Sequence, residues 1–91
     1  MPILIMKIGF VTINTLPSKE QEIYDELIKK DFIIELYGCF GQYDLIAKVK
    51  AENFDNLGKI VVEKIRTIKG VNETETLIVA EYENMPSYYR K

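Results

Sequence analysis

A ferredoxin-like α+β domain, built in the order βαββαβ, is the fold these 91 residues should adopt. Four runs rich in β-branched and aromatic residues alternate with two stretches whose apolar residues recur at helical spacing. A glycine-marked turn, Gly41-Gln42, joins the second and third runs directly, so those two form a hairpin. Right-handed crossovers then place both helices on one face of a four-stranded antiparallel sheet.

Leu4 to Thr15 reads as the first strand, with β-branched Ile8, Val11 and Ile13 and the aromatic Phe10. Pro17 stops it, because proline cannot donate to a ladder. Ser18-Lys19-Glu20-Gln21 matches the S-x-x-Q capping box, and Ile23, Tyr24, Leu27 and Ile28 carry a helix to about Lys30. Phe32 to Phe40 is the second strand, with Ile34, Leu36 and Phe40 on one side. Tyr43 to Lys50 is the third, with Leu45, Ala47 and Val49 on one side and Asp44, Ile46, Lys48 and Lys50 on the other. Asn53 is a good helix N-cap, and Leu57, Ile60, Val61, Lys64, Ile65 and Ile68 keep helical spacing after it. Gly70 is placed to end that helix in the left-handed conformation. Val71 to Tyr82 is the last strand, and residues from about 83 to 91 form a tail containing Pro86, Tyr88 and Tyr89.

The sheet face away from the helices should be polar in a monomer. If Val11, Leu36, Ala47 and Val79 face the helices, Phe10, Ile33, Tyr37, Ile46, Ile78 and Ala80 face away. An apolar centre of that size marks an interface, and a homodimer with two sheets packed face to face is expected.

Size and composition narrow the function. A chain this short is a single domain with a thin core, burying only about 60–65% of its unfolded surface, so oligomerisation is a natural source of extra stability. Cys39 is the only cysteine and histidine is absent, which removes an internal disulfide, the commonest metal ligand and the commonest general base. No metal and no cofactor is expected. The net charge of −2 comes from lysines interleaved with Asp and Glu, so no basic stripe exists to bind nucleic acid directly. Met1 to Met6 is too short to span a bilayer and lacks the features of a secretory signal. A cytoplasmic protein with no membrane partner is expected.

The candidate recognition site is Gly41-Gln42-Tyr43-Asp44 together with Thr74 and Thr76. Glycine at the turn lets the backbone approach a ligand closely, Tyr43 supplies a wall, and Asp44 needs a cation or hydrogen-bond donors near an interface. Thr74 and Thr76 are two apart and present their hydroxyls on one side of the last strand. Each feature also has an ordinary reading: a hairpin turn in the first case, β-branched strand filling in the second. Cys39 reads as a small buried residue, since no histidine can activate it.

Taken together, Val11-Thr12-Ile13-Asn14-Thr15, Gly41-Gln42-Tyr43-Asp44-Leu45-Ile46, Ile65-Arg66-Thr67-Ile68-Lys69-Gly70-Val71 and Thr74-Glu75-Thr76-Leu77-Ile78-Val79 resemble the effector-binding (RAM) domain of the Lrp/AsnC family of amino-acid-responsive transcription regulators. The stretches come in the family's order and span Gly9 to Tyr82. The resemblance implies a dimeric α+β barrel, further assembly into rings of four or five dimers (an octamer or decamer), and a free amino acid or similar metabolite bound near the turn. Ligand-binding roles are carried onto Gly41, Gln42, Tyr43, Asp44, Thr74 and Thr76 only. Family regulators carry an N-terminal helix-turn-helix domain. This chain begins almost at the first strand, so a stand-alone RAM protein without a DNA-binding domain is expected.

On this reading backbone N–H groups of the glycine turn hold the ligand carboxylate, Asp44 accepts from its ammonium, and a threonine hydroxyl adds a bond. Two rivals remain. One is a pure assembly module that joins full-length Lrp/AsnC regulators. The other is a cofactor-free α+β barrel enzyme, for which only Glu35, Tyr37, Cys39, Tyr43 and Asp44 are available and no two form an evident pair. The expectation is that the chain is not an enzyme.

Overall fold

The computed structural model describes residues 6–79. Its elements are β1 (Lys7–Thr15), α1 (Glu20–Leu27), β2 (Ile33–Gly38), β3 (Leu45–Ala51), α2 (Phe54–Ile60) running into a π-helical turn (Val61–Ile65), and β4 (Val71–Ile78). The strands form one antiparallel sheet in the order β2-β3-β1-β4, and both helices cover one face. This is the ferredoxin-like α+β arrangement that the pattern of runs predicts.

Alternation explains the core. Leu45, Ala47, Val49 and Ala51 of β3 are buried, as are Val11 and Ile13 of β1, and they meet Ile23 and Leu27 of α1 and Leu57 of α2. Burying the Val, Leu and Ile side chains among these stabilises the fold by roughly 1.5–3 kcal/mol each, before chain entropy is counted. Gly9 lies under α2: a Cβ there would stand 2.6 Å from Leu57 Cδ2, so only glycine lets the helix settle onto β1. The π turn is marked by the bond from Arg66 N to Val61 O at 2.8 Å, and its wider winding keeps Val61, Ile65 and Ile68 all buried.

Caps and boundaries divide into those that local chemistry dictates and those it does not. Asn53 caps α2 as expected, its Oδ1 accepting from Asn56 N at 2.7 Å. The Ser18–Gln21 capping box does not form. Ser18 itself takes a positive φ of 69°, Lys19 is the N-cap without a side-chain bond, and Gln21 Nε2 instead donates to Asp25 Oδ1 at 2.8 Å. The turn after Pro17 is closed by Lys19 N to Leu16 O, and with Ser18 in the left-handed region the helix starts one residue later, with Lys19 as its N-cap. α1 ends at Leu27, three residues early, with Ile28 exposed. Gly70 has the expected positive φ, 101°, but stands in the turn immediately before β4, five residues after the π turn, where its carbonyl accepts from Leu16 N at 2.7 Å.

The face assignments of Ile33, Ile34, Phe40, Ile78 and Val79 are corrected by the structure. Ile33 pairs with buried Val49, and an irregularity between Ile33 and Glu35 inserts one residue, so Ile33 packs on the core while Ile34 is exposed. Phe40 is not on an inner face at all; it is fully exposed beyond β2. Ile78 pairs with Gly9 and so lies on the helix side, whereas Leu77 opposite Phe10, and Val79 bonded through its N–H to Ile8 O, continue the other face. Ala80, Tyr82 and the tail lie outside the described residues.

The face away from the helices remains largely apolar at its centre. Phe10, Ile46 and Ile8 are partly covered by neighbours, and Tyr37 and Leu77 are about half exposed. Thr12, also on this face, is buried and donates to Glu75 O at 3.3 Å.

Candidate functional site

The β2–β3 connection spans Cys39 to Asp44 and is closed by Cys39 N donating to Asp44 O at 2.9 Å. Gly41 has a φ of 121°, a conformation that glycine adopts without strain, so the turn needs it there. Gly41 and Gln42 are exposed at the tip. Asp44 ties this turn to the end of β1. Its N–H donates to Ile13 O at 3.1 Å, and its Oδ2 accepts from Thr15 N at 2.8 Å and from Thr15 Oγ1 at 3.2 Å. The β1–β3 ladder ends at the Ile13–Leu45 pair, so the Thr15 N–H, on the same edge of β1 two residues on, has no ladder partner and is open to this bond. Among the described residues the other oxygen, Oδ1, accepts no hydrogen bond.

Around the turn are two hollows. A cleft of about 540 Å³ lies between α1 and the hairpin, lined by Glu20, Gln21, Tyr24, Gly38, Phe40 and Asp44. A smaller hollow of about 170 Å³ involves Thr12, Asn14, Tyr43, Glu73, Thr74 and Glu75. Tyr43 Oη donates weakly to Glu75 Oε2 at 3.4 Å. Asp44 and Tyr43, adjacent in sequence, therefore serve different hollows. Thr74 and Thr76 share the helix side of β4, opposite Ile13 and Val11, and Thr76 lines neither hollow. Within one subunit the six residues surround a corner of the fold without converging on one point. Thr15, Glu20, Gln21 and Tyr24 belong to the same corner; of these, only Thr15 stands in a stretch that carries the family resemblance, while the others read only as parts of the first helix.

A second charged constellation sits on the open face. Tyr37 Oη donates to Glu35 Oε1 at 2.5 Å, and Lys48 Nζ stands 3.3 Å from Glu35 Oε2. The Tyr37 hydrogen bond, with help from Lys48, holds the Glu35 carboxyl below its ordinary range, and the same carboxylate raises the Tyr37 phenol. One group is thus kept ionised and the other kept protonated around neutral pH. Cys39 is half-buried with its Sγ 3.9 Å from Tyr37 O. Among the described residues no group of three His, Cys, Asp or Glu is arranged to hold a metal ion, and no helix is long and apolar enough to cross a membrane.

A further groove of about 500 Å³ lies at the far end of the sheet, with Phe32 and Ile60 in its lining and Lys50, Lys59 and Lys64 around it. No sequence motif marked it.

Comparison with known proteins agrees with this architecture. Residues 8–85 match the family described as the Lrp/AsnC ligand binding domain. An HTH-type transcriptional regulator of Pyrococcus furiosus is 37% identical over 73 residues, covering 77% of this chain and 49% of its own length. This chain spans about half or less of the length of the relatives it matches first. The structure of FFRP-DM1 superposes with a TM-score of 0.78 at 31% identity, covering 81% of this chain and 99% of that one. AsnC of E. coli gives a TM-score of 0.78 at 28% identity, covering 89% and 55%. Over most of its length, the chain belongs to the Lrp/AsnC ligand-binding domain family.

Proposed function

We propose that this chain binds a small zwitterionic metabolite, a free amino acid or a close analogue, as an effector-binding module of Lrp/AsnC-type transcription regulation. It does so as an oligomer whose subunits pair through the open sheet face. The observation that carries this reading is the divided site. The turn offers backbone N–H groups and a carboxylate with one free oxygen, but Tyr43 and Asp44 open onto separate hollows. A neighbouring subunit seated against the hairpin would close the corner, and family membership supports a ligand there. The carboxylate of the ligand meets the Gly41–Gln42 backbone, and its ammonium meets Asp44 Oδ1.

An amino acid has about ten heavy atoms at roughly 0.3–1 kcal/mol each, so the dissociation constant should fall between about micromolar and millimolar. Calorimetry with the twenty amino acids tests the reading, with Asp44→Asn as the key variant. Asparagine keeps an oxygen for Thr15 but removes the charge, so binding should weaken at least tenfold while the fold persists. Unchanged binding in that variant would remove Asp44 from the site, and silence from all twenty would favour the assembly-module reading. That second reading draws support from Phe40, a fully exposed aromatic at the hairpin. An enzymatic role is disfavoured because neither Glu35 nor Tyr37 is tuned to exchange a proton near neutral pH.

A further inference from the structure

The two hollows at the hairpin corner share an electrostatic character. The cleft between α1 and the hairpin carries the carboxylates of Glu20 and Asp44, and the smaller hollow beside Tyr43 carries those of Glu73 and Glu75. Among the described residues no lysine or arginine lines either one. Composition does not impose this. The chain has 12 Lys and Arg against 14 Asp and Glu, and the groove at the far end of the sheet is lined by both signs.

The base nearest the cleft in sequence, Lys19, is engaged elsewhere. Its Nζ stands 3.7 Å from Glu22 Oε2, and its stem lies against Gly70. Glu20 forms no ion pair among the described residues, and Gln21 directs its amide nitrogen to Asp25.

Such a corner sorts ligands by charge. A second carboxylate on a ligand would meet like charge in both hollows and no base, so acidic side chains are repelled. A cation finds Glu20 unpaired, and cover from a neighbouring subunit would reduce the screening between them. The cleft that contains Asp44 is the hollow a ligand held by Asp44 enters, and its volume of about 540 Å³ leaves room for a long side chain. Tyr24, Phe40 and Leu45 give it apolar walls, with Tyr24 and Leu45 fixed by the core behind them. A run of methylenes ending in a positive charge matches those surfaces, its stem against the rings and leucine and its head at a carboxylate.

We infer that the effector is an amino acid with a long cationic side chain, of the lysine, ornithine or arginine type, whose terminal charge is read by Glu20 on the α1 wall of the cleft. This rests on the amino-acid reading above and adds to it the side-chain class and a specificity-determining residue outside the glycine turn.

Calorimetry at low salt tests it by comparing lysine with norleucine, which has the same carbon chain without the terminal ammonium. Lysine should bind tighter by about fivefold or more, and added salt should shrink that advantage. Glutamate in excess should not displace lysine. Glu20→Gln should bring lysine down to the norleucine level and leave norleucine unchanged. Glu20 is exposed, so the variant should fold, and a thermal melt checks it. Norleucine binding as tightly as lysine, or a lysine preference that survives Glu20→Gln, overturns the inference while the amino-acid site stands. Cadaverine, which keeps both cations of lysine and lacks its carboxylate, should bind at least tenfold more weakly; equal binding overturns the amino-acid reading and this inference with it. Silence from lysine and norleucine alike sinks both.

Discussion

Asp44 shows how much one side chain can be asked to do. One carboxylate oxygen fastens the hairpin to Thr15, and on the proposed reading the other receives the ligand ammonium. Removing the whole group by Asp44→Ala should cost about 1–3 kcal/mol through the stranded Thr15 donors, lowering the melting temperature as well as abolishing binding. Comparing it with Asp44→Asn separates the two duties. Gly9 is a purely structural case: Gly9→Ala drives a methyl into Leu57, which is itself buried, and should cost about 1–3 kcal/mol by thermal or urea unfolding. At Glu35 the prediction concerns titration. Its lowered carboxyl contributes stability above the ordinary carboxylate range and loses it as pH falls through the folded-state midpoint. In an NMR titration Tyr37→Phe should raise the Glu35 midpoint, because the phenol hydrogen bond is the largest cause of the shift. A midpoint that stays put would show that the bond does not persist in solution.

At the level of elements, the parts that could be read from the chain are those set by residues close in sequence. The alternation Leu45-Ala47-Val49 and the stripe Leu57-Val61-Ile65-Ile68 each announce a buried side by period alone. The Asn53 cap is equally local, and Asn53→Ala should cost about 1 kcal/mol, measured by unfolding. What escaped depends on partners far away in sequence. Leu77, Ile78 and Val79 are all apolar, so only pairing with Gly9 and Phe10 decides which way each points. One inserted residue after Ile33 reverses parity in β2, and nothing in its composition marks the insertion. The capping box failed because a positive φ at Ser18 answers to the turn after Pro17. The candidate site divides in the same way: the glycine turn was legible, whereas the divergence of Tyr43 and Asp44 onto different hollows follows from the strand ends.

For the whole molecule, the helices cover one side of the sheet and leave Phe10, Ile46, Tyr37 and Leu77 without a protein layer. Association would therefore raise stability by mass action, and the melting temperature should climb with protein concentration. A melting temperature independent of concentration over a hundredfold range would speak against a second copy on that face.

The Asp44–Thr15 bond also bears on how occupancy could be communicated. Thr15 ends the same strand that carries Phe10 and Thr12, so the turn and the middle of the sheet are linked by one stiff rod of backbone. On the proposed reading, a ligand held by Asp44 would act on the end of that strand. Slower amide exchange at Val11 and Ile13 upon amino-acid addition, with α2 unaffected, would be the trace of it.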